Sequence, residues 1–257
     1  MSRLQGFSRR LFWIACLTLM LGGCVTSRTG GLPDPAAPAD RVTAQLDLAR
    51  GYLEQGNTER ARTSLNKALQ IDSRSVEAHV LLGVLNAAES EWGLAERDFK
   101  TALSISPKDP MALNNYGSFL YSRGRYEEAV RYLRILVQDP DYRARSQAYE
   151  NLGLAELKIN DVEAARESFS RSLQLSFSQP IASLELAQIN YNEGDIALAS
   201  THYDAFRALA PQSARSLCLG MKISQRKGDF DAMASYALAL NNLFPNSPEV
   251  SECVVPR

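Results

Sequence analysis

The side chains of this sequence with the most reactive chemistry are its four cysteines, Cys16, Cys24, Cys218 and Cys253. A thiol can be acylated, ligate a metal or oxidise to a disulfide. The two histidines are not spaced with the cysteines as metal ligands, so the sequence predicts no zinc or iron site. Neither a glycine-rich phosphate loop nor a nucleophile elbow occurs in it. The expected chemistry is therefore modification and cross-linking of cysteine rather than catalysis.

Cys24 stands where a short apolar segment ends. Three arginines precede this segment, which runs over residues 11–21 and is too short to span a bilayer, where ~20 residues are needed. It suits the hydrophobic region of a secretory signal. The run Leu21-Gly22-Gly23-Cys24 resembles a bacterial lipobox, which implies that residues 1–23 are a lipoprotein signal peptide and that Cys24 carries a covalent lipid. The alternatives are a plain signal peptide, or an uncleaved anchor with a chance cysteine.

The residues after Cys24 predict a tethered protein. Several acyl chains on one residue anchor a protein firmly, whereas a single chain holds only marginally. Val25 follows the cysteine in place of an acidic residue, and by resemblance to sorted lipoproteins this favours the outer membrane, at its periplasmic face. Residues 24–41 include three prolines and two glycines and predict a flexible linker.

Cys218 and Cys253 form an even pair in a chain that is expected to be exported. The periplasm is oxidising, so a disulfide between them is predicted. It would close a loop of about 35 residues and stabilise the fold by about 3–4 kcal/mol. The alternative is two buried free thiols that pack as small hydrophobic groups.

A period of 34 residues organises the chain from residue 42 onwards. The segment Val76–Asp109 carries Leu82-Gly83, Ala95, Phe99 and Pro107, which fit the tetratricopeptide repeat (TPR), a helix–turn–helix unit. Small residues let the two helices approach closely. The small residue of the first helix recurs at Ala49, Gly83, Gly117, Gly153, Ala187 and, less well, Met221. The alanine of the second helix recurs at Ala61, Ala95, Ala129, Ala165 and Ala199, with Met233 in the last copy.

This period predicts an all-α fold, a TPR superhelix of six helix–turn–helix repeats forming a right-handed α-solenoid. The predicted repeats are residues 42–75, 76–109, 110–145, 146–179, 180–213 and 214–247, followed by a C-terminal tail at 248–257. Each repeat buries its apolar face against its neighbours. The third repeat has two extra residues near Asp139-Pro140, where we expect a longer turn.

The composition is that of a scaffold. The formal net charge is −1, with 28 basic and 29 acidic residues, which argues against a nucleic-acid partner. We expect no small-molecule substrate and no cofactor other than the lipid on Cys24. Function should therefore lie on a protein-binding surface.

The first helices of stacked TPR units line a concave groove. An apolar strip in such a groove favours a peptide, strand or helix partner. The alternative is that these side chains only cover the inner wall or contact neighbouring repeats. The predicted partner-binding groove residues are Leu46, Leu53, Val80, Val84, Met111, Asn114, Ser118 and Tyr121.

Two blocks of sequence carry a closer resemblance. The first is residues 112–120 with Gly124 and the Asp139-Pro140 turn, and the second is residues 216–220 with Leu243-Phe244-Pro245. With the lipobox and the repeats, the chain resembles the type IV pilus biogenesis and stability lipoproteins, the PilF/PilW family of pilotins. The resemblance implies an outer-membrane lipoprotein that binds secretin subunits and promotes their localisation and multimerisation. We also expect the protein to be a monomer. The alternative is a general lipid-anchored TPR adaptor in barrel insertion or peptidoglycan synthesis.

Overall fold

The computed structural model describes residues 37–253, and over that range the chain is all-α, without strands. The predicted signal peptide and the lipidation site at Cys24 lie outside the described residues. The helices are α1 (Pro38–Glu54), α2 (Thr58–Ile71), α3 (Val76–Ala88), α4 (Trp92–Ile105), α5 (Pro110–Ser122), α6 (Tyr126–Leu136), α7 (Arg145–Lys158), α8 (Val162–Leu175), α9 (Pro180–Glu193), α10 (Ile196–Leu209), α11 (Ala214–Lys227), α12 (Phe230–Leu243) and α13 (Pro248–Cys253). None of the helices in this range is both long enough and apolar enough to cross a membrane.

Helices α1 to α12 pair into the six predicted helix–turn–helix repeats, so the prediction of an all-α TPR solenoid is confirmed. The first helix begins at Pro38, four residues before the predicted start of repeat one. Proline loses no hydrogen bond at the first helical position, and Asp40 in the first turn interacts favourably with the helix dipole. The helix therefore takes over the end of the segment that was predicted to be linker.

The turn between the two helices of each repeat needs one residue with a positive φ. Gly56, Gly124, Gly194 and Gly228 supply it in four repeats, with φ between 72° and 86°. Ser90 (φ 64°) and Asn160 (φ 63°) take the same place in repeats two and four. After most of these turns, and between repeats, a side chain caps the next helix by accepting a hydrogen bond from a free backbone N–H. The capping residues are Asn57, Ser75, Asp109, Asp161, Asp195, Ser213 and Asp229.

Within a repeat, glycine in the first helix lets the second helix approach. A Cβ on Gly83 would lie 2.7 Å from the Phe99 ring, and one on Gly153 would lie 2.7 Å from the Phe169 ring. Repeat six differs, because its close approach is at Gly220, one residue before Met221. A Cβ on Gly220 would lie 2.2 Å from the hydroxyl oxygen of Tyr203, in the preceding repeat.

Between repeats, polar bridges link each second helix to the next first helix. Arg62 donates to Asn86 at 2.9 Å, and Asn86 donates to Asp98 at 2.8 Å. An equivalent bridge joins Arg166 to Asn190 at 3.3 Å. Since buried polar groups must be paired, these bridges fix which side of each first helix faces its neighbour and which side remains open.

The last helix, α13, folds back against repeat six. Val250 and Cys253 pack on a cluster that contains the buried Leu217 and Leu240. Cys218 and Cys253 are joined in a disulfide, with Cα atoms 5.8 Å apart and a separation of 35 residues. The bridge therefore holds the start of the C-terminal tail against α11.

Candidate protein-binding face

The first helices of the repeats (α1, α3, α5, α7, α9 and α11) form one face of the solenoid, here called the groove face. Two predicted groove residues do not belong to its surface: Leu46 is nearly buried and Val80 has no exposed area. Leu46 packs in the cluster between the first two repeats, and Val80 packs in the cluster that includes Leu113 and Tyr116. Their side chains lie between neighbouring helices, so both stabilise the core and cannot contact a partner.

The other predicted groove residues are at least partly accessible. Leu53 and Val84 are half-buried against the core clusters. Met111 is 38% exposed and Ser118 is exposed, while Asn114 and Tyr121 are half-buried. The accessible apolar surface of these residues is therefore centred on repeat three.

A cavity of about 160 Å³ opens on this face between repeats three and four. Its lining residues are Ser118, Tyr121, Leu133, Asn151 and Leu154. The buried Leu133 forms its floor. The Tyr121 ring is held edge-on against the Tyr126 ring, with centroids 5.3 Å apart. A rigid aromatic wall, an apolar floor and two polar rim groups suit one apolar side chain of a peptide whose backbone hydrogen-bonds to the rim.

Sequence reasoning missed Asn151 and Leu154, and it missed part of the groove face beyond them. Leu154 occupies the same repeat position as Ser118, so applying the predicted positions to repeat four would have found it. In repeat five the same rule gives Ile181, which is 41% exposed. Nearby in sequence, Phe177 is 85% exposed where repeats two, five and six carry Pro107, Pro211 and Pro245. The accessible apolar surface therefore extends into repeats four and five.

A buried carboxyl group, that of Glu150, underlies this part of the face. Glu150 is 2% exposed, and its Oε1 accepts a hydrogen bond of 2.8 Å from the backbone N–H of Ala182 in α9. Its Oε2 accepts one of 2.8 Å from Gln147. Burial raises the pKa of the Glu150 carboxyl group above its ordinary value, although the bond from Ala182 opposes the rise. Because Gln179, the residue before α9, makes no side-chain cap, Glu150 caps that helix across the repeat boundary.

Near repeat three a second carboxyl group is held ionised. Hydrogen bonds from Lys100, and then from Arg125 and Tyr116, lower the pKa of Glu96 to about 2. The Tyr116 hydroxyl donates to Glu96 at 3.1 Å, and Arg125 lies 2.8 Å away. Glu96 thus ties the second helix of repeat two to α5 and to the turn that precedes α6 in repeat three.

At the C-terminal end of the groove face two basic side chains of α11 are paired with carboxylates. Arg215 forms a two-point ion pair with Glu185, with N···O distances of 2.5 and 2.7 Å, and these bonds raise the pKa of the guanidinium group. Lys222 lies 2.5 Å from Glu252 in α13. The positive charges of Arg215 and Lys222 are therefore neutralised.

The described residues offer little for catalysis. Between residues 37 and 253, the one group of side chains placed to ligate a metal is Cys218, Glu252 and Cys253. The two sulfur atoms are joined in a disulfide and offer no thiolate, so this group does not fit a metal. The arrangement on the groove face can bind a polypeptide, and it presents no nucleophile–base pair.

Comparison with known proteins agrees with this architecture. The tetratricopeptide repeat family matches residues 46–110, 117–180 and 150–214, and a second tetratricopeptide repeat model matches residues 99–131. The type IV pilus assembly protein PilF of Pseudomonas aeruginosa is 40% identical over 237 residues, covering 92% of this chain and 94% of that protein.

Two solved structures are similar to this fold over most of its length. The structure of Pseudomonas aeruginosa PilF has a TM-score of 0.80 and 41% identity, covering 84% of this chain and 97% of that chain. The crystal structure of PilW, a widely conserved type IV pilus biogenesis factor, has a TM-score of 0.70 and 27% identity, covering 83% of this chain and 98% of that chain.

Proposed function

Because the chain belongs to the PilF family of tetratricopeptide-repeat proteins in type IV pilus biogenesis, we propose that it is the pilotin of its pilus machinery. In this role it is a lipoprotein at the periplasmic face of the outer membrane, anchored through Cys24. It binds secretin subunits and promotes their localisation to that membrane and their multimerisation, without catalysis.

The observation that carries the proposal is the match to PilF across nearly the whole length of both proteins. A repeat fold by itself would support only a general adaptor, since TPR units serve many partners. The groove face adds a physical reason, because its accessible apolar side chains and its cavity suit one extended or helical segment of a partner. A lipid on Cys24 would determine where that segment is delivered.

The decisive experiment deletes the gene and follows the secretin. Outer-membrane and inner-membrane fractions are run on gels under conditions that preserve secretin multimers. We expect multimers to be lost, or to appear in the inner membrane, and the chromosomal gene supplied in trans to restore them. Normal multimers in the outer membrane would refute the pilotin role and favour the general envelope adaptor.

A second experiment tests the groove face as the contact surface. Ser118→Arg places a long cation at the mouth of the cavity, and Met111→Glu places a charge seven residues earlier on the same helix. Both positions are exposed, so folding should be retained. The matched control is Ser104→Arg, an exposed serine of α4, a second helix outside the groove face. We expect the two groove variants, and not the control, to weaken secretin binding in a purified system. Equal binding by all three folded variants would place the contact elsewhere.

The anchor is tested separately. We expect Cys24→Ser to move the protein from the outer-membrane fraction to the soluble periplasmic or inner-membrane fraction and to prevent lipid labelling. If the variant protein remained in the outer membrane, the lipid on Cys24 would not be its anchor, whatever the secretin result.

A further inference from the structure

Helix α12, the second helix of repeat six, differs from the second helices of the other repeats. It contains one charged residue, Asp231, whereas α2, α4, α6 and α8 contain four each and α10 contains two. Its side chains are also left uncovered: Phe230 is 66% exposed and Leu238 is 63% exposed. Terminal repeats of solenoids normally present a polar outer face to water. A terminal helix with a single charged residue and exposed apolar side chains therefore indicates an interaction surface.

The residue types along this helix strengthen the contrast. The ninth residue of each preceding second helix is polar: Asn66, Lys100, Arg134, Ser170 and Asp204. In α12 that place is taken by Leu238. Phe230, Ala234 and Leu238 are spaced by four residues, so they form one stripe along the helix, here called the terminal stripe.

In earlier repeats, side chains at the first two stripe positions contact the next repeat. Trp92, the counterpart of Phe230, lies 6.5 Å from the Phe119 ring, and the Arg123 guanidinium stacks over it at 4.3 Å. Arg62 and Arg166 correspond to Ala234, and both bond to the following first helix. The first two positions of the terminal stripe thus continue the surface through which repeats associate, and Leu238 extends it by an apolar side chain where the earlier repeats are polar.

Helix α13 covers only part of the place where a seventh first helix would lie. It starts at Pro248, 34 residues after Ala214, and prolines also begin α5 and α9 at Pro110 and Pro180. However, α13 has six residues, against 13 to 17 in the first helices of the six repeats. It packs on Leu240 and leaves the terminal stripe exposed.

We propose that the terminal stripe binds the terminal stripe of a second copy of this chain, forming a two-fold dimer through antiparallel α12 helices. A two-fold axis at Ala234 places Phe230 of one copy against Leu238 of the other, a large side chain against a large one at both ends. The small Ala234 at the centre allows the helix axes to approach closely. Since Asp231 is the helix's only charge, the pairing buries an apolar strip without stacking like charges.

This dimer replaces the monomer that we expected from the sequence, and it does not depend on a secretin partner. It leaves the groove face free, because Ser118, Tyr121 and Leu154 lie on α5 and α7, four or more helices away from α12 along the chain.

The first test measures the mass of the purified full-length protein by light scattering in a mild detergent, whose contribution is subtracted. Mass action predicts that the mass rises from that of one chain towards that of two over a roughly hundredfold range of concentration. Leu238→Glu should weaken the dimer at least about tenfold, because it buries an unpaired charge at each end. The control Leu175→Glu, at an exposed leucine of α8, should leave it unchanged. A mass of one chain throughout, or a dimer unaffected by Leu238→Glu, would overturn the proposal.

The second test maps the axis and does not rely on a destabilising variant. Ala234 and Ser235 are adjacent and exposed, but only Ala234 lies in the terminal stripe. Under mild oxidation, Ala234→Cys should give a disulfide-linked dimer on a non-reducing gel, because a residue on a two-fold axis meets its own copy. Ser235→Cys should give far less. Equal cross-linking of both variants, or none of either, would contradict the antiparallel two-fold arrangement.

Discussion

Replacing Gly153 by alanine tests whether the repeats are held together by close helix approach. The added Cβ would lie 2.7, 2.8 and 2.9 Å from Cε1, Cζ and Cδ1 of Phe169. That ring has no exposed area and is packed against Ala182 and Leu186 of the next repeat, so it has no open space to move into. Forcing one extra methyl group into a packed core costs about 1–3 kcal/mol.

The same substitution has an opposing effect on the helix itself. Alanine is favoured over glycine in a helix interior by about 0.5–1 kcal/mol. Subtracting this gain from the overpacking cost leaves an expected loss for Gly153→Ala of about 0–2.5 kcal/mol, centred near 1 kcal/mol, in the free energy of unfolding. For a chain of this size, that lowers Tm by a few degrees.

Gly51 provides a matched control, because it also lies inside a first helix. A Cβ there would meet nothing within 4 Å. Gly51→Ala should therefore raise the free energy of unfolding by about 0.5–1 kcal/mol, whereas Gly153→Ala should lower it. Both variants make the same chemical change inside a first helix, so the difference between them isolates the effect of the close contact with Phe169.

The assay is urea unfolding followed by circular dichroism, with amide hydrogen exchange as a second probe. Solenoids need not unfold in a single step, so exchange in α7 and α8 shows whether the loss is local to the altered repeat. If both variants were stabilised, Phe169 would have room to move and the close-packing explanation would be wrong.

Three further predictions concern buried polar groups and the disulfide. Glu150→Gln keeps the acceptor for Ala182 and removes a buried titratable carboxyl group. Because burial raises the pKa of Glu150 in the folded protein, the parent's stability declines as pH rises above the unfolded carboxyl pKa of about 4.3 and stops declining above the folded pKa. The advantage of the variant in urea midpoint should therefore grow over that interval. An advantage that shrank with pH would contradict this. Cys253→Ser should lower the free energy of unfolding by about 3–4 kcal/mol, because it opens the 35-residue loop closed by the disulfide to Cys218. If mass spectrometry found two free thiols in the parent protein, this prediction would have no basis. Arg134→Ala removes the guanidinium group that lies 2.8 Å from the buried carboxylate of Glu156. Because the arginine is half-exposed, we expect a loss of about 1–3 kcal/mol in the free energy of unfolding. Adding Glu156→Gln should recover part of that loss, and no recovery would exclude an unpaired charge as the cause.

The repeat period made most of the fold predictable. Each repeat reuses the same small residues and the same turn, so the spacing of Gly83, Gly117 and Gly153 places six helix pairs without reference to any long-range contact. The predicted boundaries fall within a few residues of the observed helices. Repeat six was the exception. Its small residue is Gly220 rather than residue 221, and the side chain that packs closely against it is Tyr203 of the preceding repeat.

The groove was less predictable than the fold. Repeat position indicates which helix a residue belongs to, but whether it is accessible depends on how the next repeat is rotated. Val80, at the fifth position of repeat two, is a predicted groove residue and is completely buried. Met111, at the second position of repeat three, is exposed. Phe177 shows the reverse problem, since an aromatic residue suggests core and the structure leaves it exposed in a turn.

The sequence alone determined the periodic part of this protein: the helix pairs, their turns and their number follow from local spacing, because each repeat closes on residues within 34 positions of one another. The lipobox-like run that ends at Cys24 is likewise a local pattern, and the lipid there stays a prediction, whereas the disulfide predicted between Cys218 and Cys253 is present in the structure. Only the tertiary structure decided which faces remain open. The burial of Leu46 and Val80, the cavity between repeats three and four, and the uncovered α12 all depend on contacts between neighbouring repeats, and those contacts follow from side-chain volumes and polar bridges rather than from the period.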